Sequence, residues 1–175
     1  MGFSVTIASC IVLIGIIAAF TSVSVAVFQS VKDLSAATKE YLDRERSRLD
    51  VELELKIEAI NATSCNITVK NTGSKTIFLR DQNGFQWNTI VLSYGNSSYW
   101  LSYMIEEYEV VTIKVSNTSY SFDPAIHECI NPGEEALISF HIPAGAPEIP
   151  LHAVVSVAFA THYGVTAEAR GVRES

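Results

Sequence analysis

Ile11-Val-Leu-Ile-Gly-Ile-Ile-Ala-Ala-Phe20 lies at the centre of a stretch, Gly2 to Val31, that contains no charged side chain. A helix crosses the hydrocarbon of a bilayer with about 20 mostly apolar residues, and this run is longer. A helix packed in a soluble core would show a polar stripe at the 3.6-residue period. Here there are only small hydroxyls (Ser4, Thr6, Ser9, Thr21, Ser22, Ser24) scattered around it. Such hydroxyls can bond to the helix's own carbonyls or across a helix–helix seam. The segment reads as a transmembrane helix over residues 1–31, with Phe3, Ile11, Leu13, Ile16, Phe20 and Val27 as anchor residues. Only Met1 precedes it, without the basic n-region of a cleaved signal, so the segment is expected to be retained. The loose myristoylation match at Gly2 and the lipoprotein-like Cys10 add nothing to a chain already held in lipid.

Working outward, no Gly or Pro occurs between Ile16 and Val51, so nothing stops the helix at the membrane surface. Residues 32–50 form a helical stalk. Val31, Leu34, Ala37, Tyr41, Leu42 and Leu49 fall on one helical face. That face is either a seam with another helix or the patch on which a domain rests. Lys39-Glu40 and Asp43-Arg44-Glu45-Arg46 mix opposite charges, as a solvated helix does.

From Val51 the period becomes two: Val51, Leu53, Leu55, Ile57 and Ala59 alternate with Glu52, Glu54, Lys56 and Glu58. Strand-like runs follow near 66–70, 76–80, 86–94, 99–105, 110–116, 136–142, 152–160 and 165–170. Turn signals separate them. Asn71-Thr-Gly-Ser-Lys75 reads as a hairpin turn with Gly73 at positive φ, and Asp81-Gln-Asn-Gly84, Asn131-Pro-Gly-Glu134 and His162-Tyr-Gly164 read as further turns. About eight short strands without a second amphipathic helix predict an all-β, immunoglobulin-like antiparallel sandwich over residues 51–175. The nearly continuous apolar run Leu151–Ala160 suits a central strand covered on both faces.

The formal charge of −7 falls on this domain, because five bases and five acids cancel between Lys32 and Asp50. An acidic domain without a basic stripe excludes nucleic acid as a partner. The basic residues after the apolar run would, by the positive-inside rule, hold the domain in the cytoplasm. Against that stand four sequons, at Asn61, Asn66, Asn96 and Asn117, which are glycosylation acceptors only outside the cell. Cys65 and Cys129 could pair in an oxidising compartment or stand as two unrelated buried thiols. The domain is placed outside.

No catalytic constellation emerges, and no cofactor or metal site. His127, His141, His152 and His162 lack metal spacing, and His127-Glu-Cys129 cannot turn three neighbouring side chains onto one ion. Glu106, Glu107 and Glu109 read as a solvated loop, with weak Ca²⁺ binding as the alternative. The aromatic residues Tyr94, Tyr99, Trp100 and Tyr103 read either as hairpin packing or as a patch that grips a partner, with Tyr99, Trp100 and Tyr103 as its candidates.

Met1-Gly-Phe-Ser-Val-Thr, running straight into the apolar helix, resembles the start of the FlaF family of archaellum (archaeal flagellum) accessory proteins, within the wider FlaF/FlaG group. Val69-Lys-Asn-Thr-Gly73, Asn131-Pro-Gly-Glu134 and Tyr163-Gly-Val165 resemble turns of that group and of archaellins. The resemblance implies a non-enzymatic stator: a helix in the cytoplasmic membrane and a β-domain beneath the surface layer. It further implies surface-layer protein and a FlaG-like protein as partners, and dimerisation through the sandwich. Archaellins carry a short basic leader, and no Lys or Arg precedes the apolar run here, which favours the stator reading over a filament subunit. A FlaG-type stator partner and a type IV pilin-like filament subunit are the alternatives.

Overall fold

A computed structural model describes residues 2–82, 85–95 and 99–174 of the chain. The Asn83-Gly84 part of the expected turn, the Asn96 sequon and the side chain of Phe3 lie outside the described residues. The chain divides into two compact units, Met1–Glu45 and Arg46–Ser175.

Helix α1 runs without a break from Gly2 to Leu49. Its span Ile7–Leu49 is long and apolar enough to cross a membrane. Ile11, Val12, Leu13, Ile14, Ile16 and Ile17 are all exposed, so no side of that stretch is polar. The hydroxyls do not break the pattern. Thr21 donates to the Ile17 and Ala18 carbonyls, Ser22 to Ala18, Ser24 to Phe20 and Ser30 to Ala26. Each polar group is satisfied one turn back along its own helix, so it needs neither water nor a neighbouring helix.

The second unit is an antiparallel sandwich. Its eight long strands are β1 (Leu53–Ile60), β2 (Ser64–Asn71), β6 (Thr89–Gly95), β7 (Trp100–Ile105), β8 (Tyr108–Val115), β11 (Glu134–His141), β12 (Val154–Ala160) and β13 (Thr166–Val172). Among the described residues, two-residue strands join them: β3 (Ile77–Phe78), β4 (Asp81–Gln82), β5 (Phe85–Gln86), β9 (Ser121–Phe122) and β10 (Cys129–Ile130). One sheet has the order β1-β2-β11-β8-β9, the other β13-β12-β6-β7, and β10-β3 and β4-β5 form two small ladders. Alternation explains the layers, because residues two apart share a face. Ile67 and Val69 of β2, Ile138 and Phe140 of β11, and Ile113 of β8 face Ile90, Leu92 and Tyr94 of β6 and Val155, Val157 and Phe159 of β12. All are buried.

The expected hairpin at residues 71–75 is corrected. β2 pairs with β1 and β11, whereas the Ile77–Phe78 segment leaves the sheet and pairs with Cys129–Ile130. Among the described residues the glycines at positive φ are Gly133, Gly145 and Gly164, and Gly73 is not one of them. It is needed for closeness: a Cβ there would sit 2.4 Å from Glu52 N and 2.6 Å from Asp50 O. The loop wraps the chain where it leaves α1. Thr72 and Gly73 N–H donate to the Glu52 carbonyl at 2.9 and 3.0 Å, and Ser74 and Lys75 N–H to Asp50 at 2.8 and 3.2 Å. The turns at Asn131–Glu134 and His162–Gly164 do use glycine at positive φ.

Candidate functional site

β12 is central, between β13 and β6, but only one of its faces is covered. This corrects the expectation drawn from Leu151–Ala160. Val155, Val157 and Phe159 are buried, while Val154, Ser156, Ala158 and Ala160 lie on the outer face, Val154 44% exposed and the other three half-buried. The pairing register extends that face across all four strands. Trp100, Gly95, Val154 and Val172 form one row. Ser102, Ser93, Ser156 and Arg170 form the next, and Met104, Val91, Ala158 and Glu168 the third. Trp100 is 53% exposed and Met104 61%.

Polar side chains on this face pair with one another. Ser93 and Ser102 hydroxyls bond to each other at 2.8 Å, and Ser156 donates to Glu168 Oε1 at 2.7 Å. Arg170 Nε donates to the same carboxylate at 3.0 Å, and together these bonds hold the Glu168 carboxyl below the usual range. Trp100, Val154, Val172 and Met104 are exposed around these groups, and clustered exposed apolar side chains mark interaction sites more often than single ones do.

The opposite outer face differs. On the five-stranded sheet Lys70 pairs with Glu54 (3.7 Å), Lys114 with Glu135 (3.0 Å) and Lys56 with Glu58 (3.1 Å). Burial raises the Glu135 carboxyl's pKa, but bonds from Lys114 and Ser116 bring it below normal. Exposed pairs of this sort are worth about 0–1 kcal/mol each. They mark a solvated surface.

The expected aromatic patch is split by strand parity. Trp100 points outward, whereas Tyr103 turns inward and stacks on buried Tyr94 with ring centroids 5.8 Å apart. Tyr94 donates its hydroxyl to the Pro147 carbonyl, and burial and the Tyr103 contact push its pKa up to about 12. Tyr99 is exposed beside Trp100. Tyr103 therefore belongs to the core side, and Val154, Val172 and Met104 take its place on the open face.

Cys65 and Cys129 are free thiols, the second of the two alternatives that the sequence leaves open. Cys65 is opposite Phe140 near the start of β2, while Asn71 at the far end of that strand donates to the Ile130 carbonyl beside Cys129. Six residues of strand put the two roughly 20 Å apart, against about 7 Å between Cα atoms for a bridge. Burial pushes the Cys65 thiol up to about 12. Burial and the Glu134 charge also raise Cys129, so its proximity to His127 (3.9 Å) does not activate it.

His127 instead builds a turn. Its Nε2 bonds Glu134 Oε2 at 2.9 Å, and Asn131 N–H donates to the same oxygen at 2.8 Å. Burial raises the Glu134 pKa, and the His127 and Asn131 bonds bring it below the ordinary value. His127 stacks on Phe122 at 4.5 Å. Glu128 lies within 3.8 Å of Arg80, on a different side. Among the described residues no group of three or more His, Cys, Asp or Glu is placed to hold a metal ion. Glu106, Glu107 and Glu109 line an open groove of about 570 Å³ with Ser139 and His141.

A second cluster was not legible in the sequence. Trp87 meets Phe78 and His162 in T-shaped contacts and Phe78 meets His162 at a tilt, with Arg80 over Phe78 and Trp87 at 5.6 and 5.9 Å. Buried Asn88 ties it together, donating to the Phe78 carbonyl at 2.7 Å and accepting from His162 N–H at 3.2 Å. It flanks Gly164, whose carbonyl accepts from Arg48 at 3.3 Å. The Trp100–Val172 row stands at the other end of β13.

Of the sequons, Asn61 and Asn117 sit exposed in turns, and Asn66 is half-buried within β2. The exposed anchor side chains Ile11, Leu13, Ile16, Phe20 and Val27 occupy α1.

These features define a class: a β-sandwich carried on a long apolar helix, with one sheet face left open for contact and no assembled catalytic group among the described residues. No protein-family model matches the chain, and no curated protein does. Solved structures do match, archaellum proteins among them. The archaeal flagellum of Methanospirillum hungatei strain JF1 superposes with TM-score 0.59 at 12% identity, over 96% of this chain and 93% of that one. The chain therefore has the helix-plus-sandwich fold of that flagellum. The periplasmic stator complex FlaF and FlaG from Sulfolobus acidocaldarius gives TM-score 0.40 at 13% identity, over 70% and 88% of the two chains. FlaG alone from the same organism gives 0.39 at 13%, over 69% and 100%.

Proposed function

We propose that this chain is a stationary, non-enzymatic component of an archaellum. Its helix is anchored in the cytoplasmic membrane, and its β-domain stands outside and grips surface-layer protein. The observation that carries the reading is α1. It is apolar on every side over Ile11–Ile17, and Thr21, Ser22, Ser24 and Ser30 are bonded to its own backbone. Such a helix is stable alone in lipid. A stator also needs a firm head that can bear load, and a sandwich with its open face at one end of β12 and β13 suits that work. Under this reading the open face around Trp100, Val154 and Met104 meets a FlaG-like stator partner or a second copy of the chain.

The filament-subunit reading is favoured by one observation, the match along nearly the whole chain to the Methanospirillum hungatei flagellum. Short-range crosslinking in intact cells separates the two. The stator reading predicts products with surface-layer protein and a FlaG-like partner. A ladder of self-multimers extending to many copies, without surface-layer protein, overturns it in favour of the filament.

A further inference from the structure

We propose that Asn61 and Asn117 are N-glycosylation acceptors and that Asn66, which carries the same motif, stays bare. The inference rests on the external placement of the β-domain given above. The motif alone does not separate the three; their settings in the fold do.

Asn61 lies in the tight turn from β1 to β2, where its N–H donates to the Ser64 carbonyl at 2.8 Å. Its Nδ2 donates to Ser64 Oγ at 3.0 Å. That bond occupies one amide N–H and leaves the other for substitution, so a sugar does not disturb the turn. Thr63, which supplies the motif's hydroxyl, is exposed as well. Asn117 lies between β8 and β9 at φ 61°, a left-handed position that Asn tolerates better than most residues. The shape of that loop is held by its neighbours. Thr118 N–H and Oγ1 donate to the Val115 carbonyl at 3.1 and 2.9 Å, and Tyr120 N–H donates to Thr118 Oγ1 at 3.2 Å. Asn117 and Ser119 are both exposed.

Asn66 is different. It lies within β2, in register between Ala59 of β1 and Ser139 of β11, and is half-buried among the side chains of the charged sheet face. A transferase must draw its acceptor away from the surface. A turn yields, whereas an interior strand would lose ladder bonds on both sides. The donor is a lipid-phosphate-linked oligosaccharide. A bond forms between Asn Nδ2 and sugar C1, the C1–O bond to phosphate breaks, and the lipid phosphate leaves with the electron pair. The amide proton passes to a base on the transferase. Both modified turns belong to the five-stranded sheet, so these sugars would border the charged face and not the Trp100–Val172 row.

The test uses the chain purified from membranes of its source organism, with peptide mass spectrometry, beside protease treatment of unbroken cells. The expected result is sugar-bearing peptides at Asn61 and Asn117, an unmodified Asn66 peptide, and digestion of the β-domain on unbroken cells. N61Q and N117Q should each remove one glycan, as should Thr63→Ala and Ser119→Ala, which leave the asparagines in place. N66Q should leave the mass ladder unchanged. A digested domain with bare Asn61 or Asn117, or with sugar on Asn66, overturns the inference and leaves the topology standing. A domain shielded until lysis overturns the topology and the inference together.

Discussion

Gly73→Ala tests the junction between helix and sandwich. A Cβ at this position meets Glu52 N at 2.4 Å and Asp50 O at 2.6 Å, where ordinary contact begins at 3.4 Å. The partners are backbone atoms, so no side chain can rotate away, and the loop must retreat by about 1 Å. It is held by four backbone hydrogen bonds, to the Glu52 and Asp50 carbonyls. Losing two or three of them at about 1 kcal/mol each, with some added strain, gives a loss of roughly 2–4 kcal/mol. With a urea dependence of about 2 kcal/mol per molar, the unfolding midpoint should fall by about 1–2 M. Trp87 and Trp100 are the chain's two tryptophans and both lie in the β-domain, so their fluorescence follows that domain in the detergent-solubilised chain. Gly133→Ala is the contrast. Nothing lies within 4 Å of its Cβ, but its φ of 84° costs an alanine about 1–2 kcal/mol. A Gly73→Ala midpoint shift worth less than about 0.5 kcal/mol would refute the close-approach argument.

Three further outcomes follow from the same geometry. The Glu134 carboxyl is held below its ordinary value, so its contribution to stability is full above the unfolded carboxylate pKa and is lost as pH falls through the folded one. The stability gap between wild type and E134Q should therefore be widest near neutral pH and close on acidification, as read by urea unfolding across pH 3–7. Replacing Trp100 and Val154 together by Glu should change stability by less than about 1 kcal/mol, because both are exposed, yet abolish crosslinking to a FlaG-like partner or a second copy of the chain. Unfolded without reductant, the chain should take up a thiol reagent at all three cysteines. Uptake at Cys10 alone would show that Cys65 and Cys129 are bridged.

Periodicity carried most of the fold. The uncharged run from Gly2 and the absence of Gly or Pro up to Val51 predict the helix that ends at Leu49. Alternation from Val51 predicts β1, which begins at Leu53, and the turn residues at Gly133 and Gly164 fall where φ is positive. What failed depended on which strand lies beside which. The Asn71–Lys75 turn signal looks the same whether the next segment folds back on β2 or leaves for Cys129. Spacing along a chain does not report the separation of Cys65 from Cys129 across the sheet. Trp100 and Tyr103 differ in parity, a distinction the aromatic cluster obscured. The run of apolar residues in β12 predicts burial on both faces, and the open second face is where the structure adds most to the sequence. The Phe78, Trp87, His162 and Arg80 group had no local signal, since its members come from distant segments.

Shearing archaella from intact cells and following the chain by quantitative mass spectrometry tests the central claim most directly. The account predicts that it stays with the cell membranes, resists extraction by alkaline carbonate, and is absent from the sheared filaments. Release with the filaments as one of their repeating subunits would contradict it.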